Sequence, residues 1–194
     1  MTAALKLPPR HMTVAEFLDW DSGDRSGALW QLRDCEPEMM APASDTHGSI
    51  QSQVAFLLTG HLNERASACR VVIASGVTPR VRSAENCLVP DLGITCTPPS
   101  GARMLAEPVV LVEILSPSIE AQTWANVWAY TTIPSLQEIV ILRSSMIAAD
   151  VLRRQPDGSW PEKTERIEAD GSLEIGAVHF AAPLRLAYRT TALT

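Results

Sequence analysis

The chain has 194 residues and 46% hydrophobic content, enough for one ordinary core and too short for two comfortable ones, so one domain over residues 1–194 is expected, with 1–11 as a tail. A formal charge of −6, with arginine far outnumbering lysine, excludes a broad positive surface that grips nucleic acid by charge alone; any such contact needs a local arginine patch. No apolar run approaches membrane length and no charged-then-apolar leader opens the chain. The four cysteines, Cys35, Cys69, Cys87 and Cys96, show neither Cys-x-x-Cys spacing nor a paired histidine, which disfavours zinc and suits reduced thiols in a soluble cytoplasmic protein.

In chain order, Thr13 and Glu16 stand at capping-box spacing ahead of Phe17, Leu18 and Trp20, predicting a short amphipathic helix. A polar loop at 21–28 leads into "LWQLRDCEPEMMAP", two short strands around a tight connection from Asp34 to Pro37. Ile50, Val54, Leu57, Leu58 and Leu62 then recur at helical spacing, with Asp45 or Thr46 placed to cap. Residues 69–83 and 87–96 read as strands, Pro90 being tolerable at a strand start or edge. Strand 109–116 is followed by a helix over 119–133 that Pro134 stops, and by an apolar strand over 136–145. Asp-Gly turn signals at 157–158 and 170–171 predict a small antiparallel layer ending in "APLRLAYRT". The order describes an α/β fold with a mixed central sheet flanked by helices on both faces, an N-terminal hairpin and a C-terminal antiparallel extension.

Within "VVLVEILSPS", residues 109–118, Glu113 interrupts what otherwise reads as a fully buried strand. Burying an ionised carboxylate costs several kcal/mol (order of magnitude) unless a partner or metal compensates, so either a structural ion pair with arginine or a functional role is called for. Alternation puts Val109, Leu111, Glu113 and Leu115 on one face and Val110, Val112, Ile114 and Ser116 on the other. Asp91 opens a neighbouring strand; alone it reads as a strand-end aspartate, but with Glu113 it makes a pair able to hold a hard divalent cation through oxygen ligands.

These pieces together, "TVAEFLDW", "LWQLRDCEPEMMAPAS", "VPDLGI", "VVLVEILSPS" and "WAYTTIPSLQEIVIL", resemble the Uma-two family of restriction endonucleases, a branch of the PD-(D/E)xK nuclease superfamily, over nearly the whole chain. The resemblance implies a restriction-endonuclease-like core, Asp91 and Glu113 as metal-binding acids, magnesium or manganese as cofactor, DNA as partner and phosphodiester hydrolysis as activity. It leaves room for a homodimer.

The match fails at two places. The superfamily's Glu-x-Lys lysine would fall at Leu115; relatives are understood to supply it one turn before the helix tyrosine, where this chain has Asn126, with Gln122 and Tyr130 on the same helical face. The chain's lysines are Lys6 and Lys163, both far from the motif. Relatives read Tyr-Glu-Leu in the first hairpin, where this chain has Trp30, Gln31, Leu32; Gln31 coordinates through a carbonyl but brings no charge. Asn126 and Gln31 therefore join Asp91 and Glu113 as candidate site residues. Arg80 and Arg82, alternating on the strand expected before Asp91, are candidates for the missing cation, while Glu36 and Glu38 read as solvated hairpin residues and His47 as structural. Two functions follow: a metal-dependent endonuclease with a degenerate site, or a catalytically reduced nuclease-fold protein that binds nucleic acid or a partner. A third, a small-molecule pocket lined by Trp124 and Trp128, competes with a plain core role for both indoles.

Overall fold

The computed structural model describes residues 11–193, so the expected tail lies outside it apart from His11. Six strands build the central sheet in the order β3 (Arg70–Ile73), β4 (Leu92–Thr95), β5 (Pro108–Leu115), β6 (Glu138–Arg143), β7 (Ala148–Arg153), β8 (Glu165–Glu168). Only β5 and β6 run parallel; α3 (Glu120–Tyr130) is their crossover, because parallel neighbours cannot be joined by a tight turn. The predicted mixed α/β sheet with helices on both faces is what the chain adopts.

The two faces of β5 carry different cores. Val110, Val112 and Ile114 pack with Ile50, Val54, Leu58 and Leu62 of α2 (Asp45–Glu64), while Leu111 and Leu115 pack with Val127 and Tyr130 of α3. Alternation fails only at Val109, which packs on the α2 side: the β4–β5 register shifts between Ile94 and Thr95, Thr95 pairing with Pro108. Gly93 sits at a close approach: a Cβ there would lie 2.3 Å from Leu105 Cδ2 and 3.2 Å from Leu111 Cδ2, so any larger residue must displace the Leu105 side chain.

Several local expectations need correction. The cap of α2 is Ser44, whose hydroxyl accepts from the His47 amide at 3.2 Å, rather than Asp45 or Thr46. Only the first part of the strand predicted at 69–83 forms a regular strand; beyond Ile73 pairing is reduced to a bridge between Val77 and Leu88, and Arg82 adopts φ 55°. The C-terminal run divides: β7 and β8 extend the central sheet, while β9 (Ser172–Ile175) and β10 (Phe180–Pro183) form a separate hairpin followed by a 3-10 helix at Leu184–Tyr188. The turn at Asp170–Gly171 thus links two sheets instead of closing one hairpin. The cysteines were read as reduced thiols, but Cys69 and Cys96 form a disulfide, leaving Cys35 and Cys87 free. Arg70 pairs with Thr95, so the two cysteines just beyond face each other across β3 and β4, a proximity that a separation of 27 residues conceals. The cysteines therefore argue for no reducing compartment.

The N-terminal hairpin, β1 (Trp30–Arg33) and β2 (Glu36–Met39), turns tightly through Asp34 and Cys35, both with positive φ (48° and 69°). That is the backbone that two-residue hairpin loops favour, here without the glycine that usually occupies it. Leu32 and Cys87 exchange both backbone hydrogen bonds at 2.9 Å, so the hairpin is fastened to the segment that runs on to Asp91. Ahead of it, α1 (Val14–Asp19) starts on the predicted Thr13–Glu16 capping box and seals this end. Because φ above zero is disfavoured for a residue with a Cβ, Cys35→Gly should keep the fold and stabilise it by up to about 1 kcal/mol, read as a rise in Tm of about 2–4 °C. A fall in Tm would show that Cys35 contributes packing that outweighs its backbone strain.

Candidate active site

Three acids are deeply buried: Glu113, Glu138 and Asp150. Two are satisfied as structural ion pairs. Glu138 accepts from Arg153 Nε at 2.9 Å and from the amides of Gly176 and Ala177, and Asp150 meets Arg143 and Arg166 at 3.0 Å each. Glu113 differs: its Oε1 accepts from the Tyr130 hydroxyl at 2.8 Å, and among the described residues no arginine or lysine forms a salt bridge with it. The arginine-pair explanation for a carboxylate in this strand is therefore not the one the structure uses.

What stands beside Glu113 is another acid. Leu92 pairs with Val112, so continuing the antiparallel register brings Asp91 opposite Glu113. Asp91 Oδ2 accepts from the Ile114 amide at 2.7 Å, and Oδ1 lies 2.7 Å from His47 Nε2, where the ring N–H donates because a carboxylate only accepts. Gln51 of α2 donates to the Asp91 carbonyl at 3.0 Å. The first two turns of α2 thus hold Asp91, and His47, read from sequence as structural, touches a candidate ligand. Burial, then the charge of Asp91, pushes the Glu113 carboxyl well above the usual carboxylate range, with the Tyr130 hydrogen bond pulling the other way.

A second polar group lies between the hairpin and α3. Gln31 and Arg33 alternate with the core residue Leu32, and Glu38 stands opposite Gln31 in the register. Glu38 Oε2 accepts from Gln31 Nε2 (3.1 Å), Arg33 Nε (3.1 Å) and Gln122 Nε2 (3.0 Å), so Glu38 is a hub rather than the solvated residue expected. Asn126 falls one helical turn from Gln122 and one from Tyr130 on the same face of α3. Three buried atoms here have no partner: Gln31 Oε1, Arg33 Nη2 and Asn126 Oδ1.

Arg80 and Arg82 do not stand on a strand beside the acids. Arg82 pairs with Asp34 at 2.5 Å and with Glu85 at 3.3 Å, and the Arg80 amide donates to Thr132; both side chains are exposed. Trp124 packs on the core beneath α3 and Trp128 is 43% exposed, which leaves the small-molecule pocket without walls.

Among the described residues no three His, Cys, Asp or Glu side chains converge, so a protein-only cage is absent. A magnesium-type ion does not need one: it binds through one or two carboxylates and completes its shell with water and phosphate oxygens. Two carboxylates that repel each other in a buried setting fit such an ion; soft or tetrahedral centres are not matched.

The mixed sheet with helices on both faces is a nuclease-class fold. The structure matches the crystal structure of a "putative nuclease belonging to DUF820" from Anabaena variabilis with a TM-score of 0.73, covering 92% of this chain and 98% of that one at 15% identity. Residues 14–177 match the model of the Uma2 family, described as "Putative restriction endonuclease", and the chain belongs to that family. Among its relatives is the "Uncharacterized protein slr1290" of Synechocystis, 24% identical over 181 residues, which are 92% of each chain. No helix among the described residues is long and apolar enough to cross a membrane.

Because burial and the charge of Asp91 raise the Glu113 pKa in the folded protein, stability in chelator is fullest below the ordinary carboxylate pKa of 4.5 and falls as pH rises toward the raised value. Glu113→Gln removes that loss. In chelator its Tm should exceed the wild type by about 2–4 °C at pH 8, a gain of roughly 1 kcal/mol, and the difference should vanish near pH 4. A variant less stable at every pH would mean that Glu113 is held charged by a compensating group.

Proposed function

We propose that this protein is a divalent-metal-dependent endonuclease acting on DNA phosphodiester bonds, with Asp91 and Glu113 as ligands for magnesium or manganese. The observation that carries this reading is the contrast among the buried acids: Glu138 and Asp150 are neutralised by arginine, whereas Glu113 faces a second carboxylate and a phenol. Keeping such a pair destabilises the apo fold, and a hard dication relieves it.

The residues divide the work as follows. Asp91 is oriented by the Ile114 amide and His47, leaving lone pairs on each oxygen for a cation. Glu113 is oriented by Tyr130, whose hydroxyl burial keeps protonated and therefore donating. When bound, the ion supplies Lewis-acid polarisation of the phosphoryl oxygen and lowers the pKa of water. Gln31 Oε1 and Asn126 Oδ1 are acceptors available to water or substrate N–H and O–H groups.

A second reading, a nuclease-fold protein that binds nucleic acid without efficient cleavage, is favoured by one feature: Asn126 puts an uncharged amide where a lysine would stabilise developing phosphoryl charge. Nicking of supercoiled plasmid in magnesium or manganese separates the two. The wild type should nick only with the ion present, and Asp91→Asn should reduce the rate by at least about 10²-fold, the order expected for an essential electrostatic group, while remaining folded. Equal nicking by wild type and Asp91→Asn would place the activity elsewhere; none by the wild type would favour the binding reading.

A further inference from the structure

We propose that Arg33 is the cation that contacts the phosphodiester in this site, with Glu38 as the residue that positions it. The proposal takes its substrate class from the nuclease reading above. It answers the question the candidate residues leave open, since α3 offers Asn126 rather than a cation, Arg82 is paired with Asp34 and Glu85, and Arg80 is an exposed side chain outside the strands.

The argument starts from the strand. Arg33 and Gln31 share the face of β1 opposite the core residue Leu32, and cross-strand Glu38 joins them. Gln122 ties Glu38 to α3, whose same face carries Asn126 and then Tyr130, bonded to Glu113. One face of α3 therefore carries polar groups from the partner of the guanidinium, Glu38, at one end to the phenol on Glu113 at the other.

The geometry of the Arg33–Glu38 pair distinguishes a clamp from a plain structural salt bridge. A guanidinium committed to one carboxylate favours a bidentate fork. Here Glu38 takes Nε alone, through an oxygen that two glutamines also occupy, and Nη2 is buried with no partner. A buried N–H donor without an acceptor is costly, and this one is completed by an anion from outside the fold. The orphaned acceptors Gln31 Oε1 and Asn126 Oδ1, on residues only 5% and 7% exposed, show that the surrounding cluster is likewise incomplete on its own.

The test uses the full chain with Arg33→Gln, Arg33→Lys and Glu38→Gln, each checked by Tm. Two readouts are taken: plasmid nicking with magnesium, resolved into kcat and KM, and anisotropy-detected binding of a short DNA duplex across a salt series. Arg33→Gln should lower kcat/KM by about 10²–10³-fold with much of the loss in kcat, and flatten the salt slope by about one phosphate contact. Arg33→Lys should fall between, keeping the charge without the fork, and Glu38→Gln should lower kcat with the slope preserved. Adding Asn126→Lys to Arg33→Gln should restore part of kcat, which a merely structural role for Arg33 would not permit. If Arg33→Gln destabilises the fold, Arg33→Lys carries the comparison, and wild-type kcat and slope in that variant overturn the need for a fork. Wild-type nicking that Arg33→Gln leaves unchanged, with an unchanged salt slope, overturns the proposal and leaves the nuclease reading standing. DNA binding that depends on Arg33 in a protein that never nicks overturns the nuclease reading and keeps the contact. Absence of both nicking and Arg33-dependent binding overturns both.

Discussion

The arrangement depends on the repulsion between two carboxylates that the backbone register forces together. Asp91 immediately precedes β4 and Glu113 lies in the adjacent antiparallel β5, and the Asp91 carboxylate is held there by the Ile114 amide and His47. Glu113 cannot turn to solvent either, because Leu111 and Leu115 on the same face are sealed against α3. Where this chain buries an acid for structure, it supplies arginine; at Glu113 it supplies a phenol and another acid. Stability is given up at one place in the core, as is common where binding or catalysis uses what folding would avoid.

The elements around that pair are placed by ordinary packing. The apolar stripe of α2 puts its first two turns beside the start of β4, so that His47 and Gln51 meet Asp91. The crossover that parallel β5 and β6 require brings Tyr130 over Glu113. The hairpin is stitched by backbone bonds at Leu32 and Cys87 to the segment entering Asp91, which turns its polar face to the same helix. Three separate parts of the chain thus reach one end of the sheet for reasons of core formation and strand connection, and the polar groups ride on them.

Much of the architecture was legible beforehand because it rests on periodicity and capping. The capping box at Thr13–Glu16, the helical stripe from Ile50 to Leu62 and the apolar strands from Val109 and Ile139 are local signals, and each produced its element. Local signals failed where pairing decided the outcome. The Asp-Gly turn at 170–171 is a sound turn, but the strands on either side joined different sheets. Arg80 and Arg82 alternate in sequence, yet Gly76 and Pro79 interrupt their strand and Arg82 sits at positive φ. Cys69 and Cys96 carry no spacing signal, and only the β3–β4 register sets them face to face.

For the site, the sequence by itself determined which side chains are chemically unusual: an acid inside a buried strand, an Asp at a strand opening, a glutamine and an asparagine where charge is wanted. Those are readable because alternation along a strand and spacing along a helix are short-range rules. The tertiary structure alone decided which groups meet. His47 reaches Asp91 across 44 residues, and Gln122 reaches Glu38 across 84, distances over which no periodicity carries information. Glu38 reads as a solvated hairpin residue until Gln122 of α3 reaches it, because the surroundings of a short hairpin are set by what packs on it and not by its own pattern.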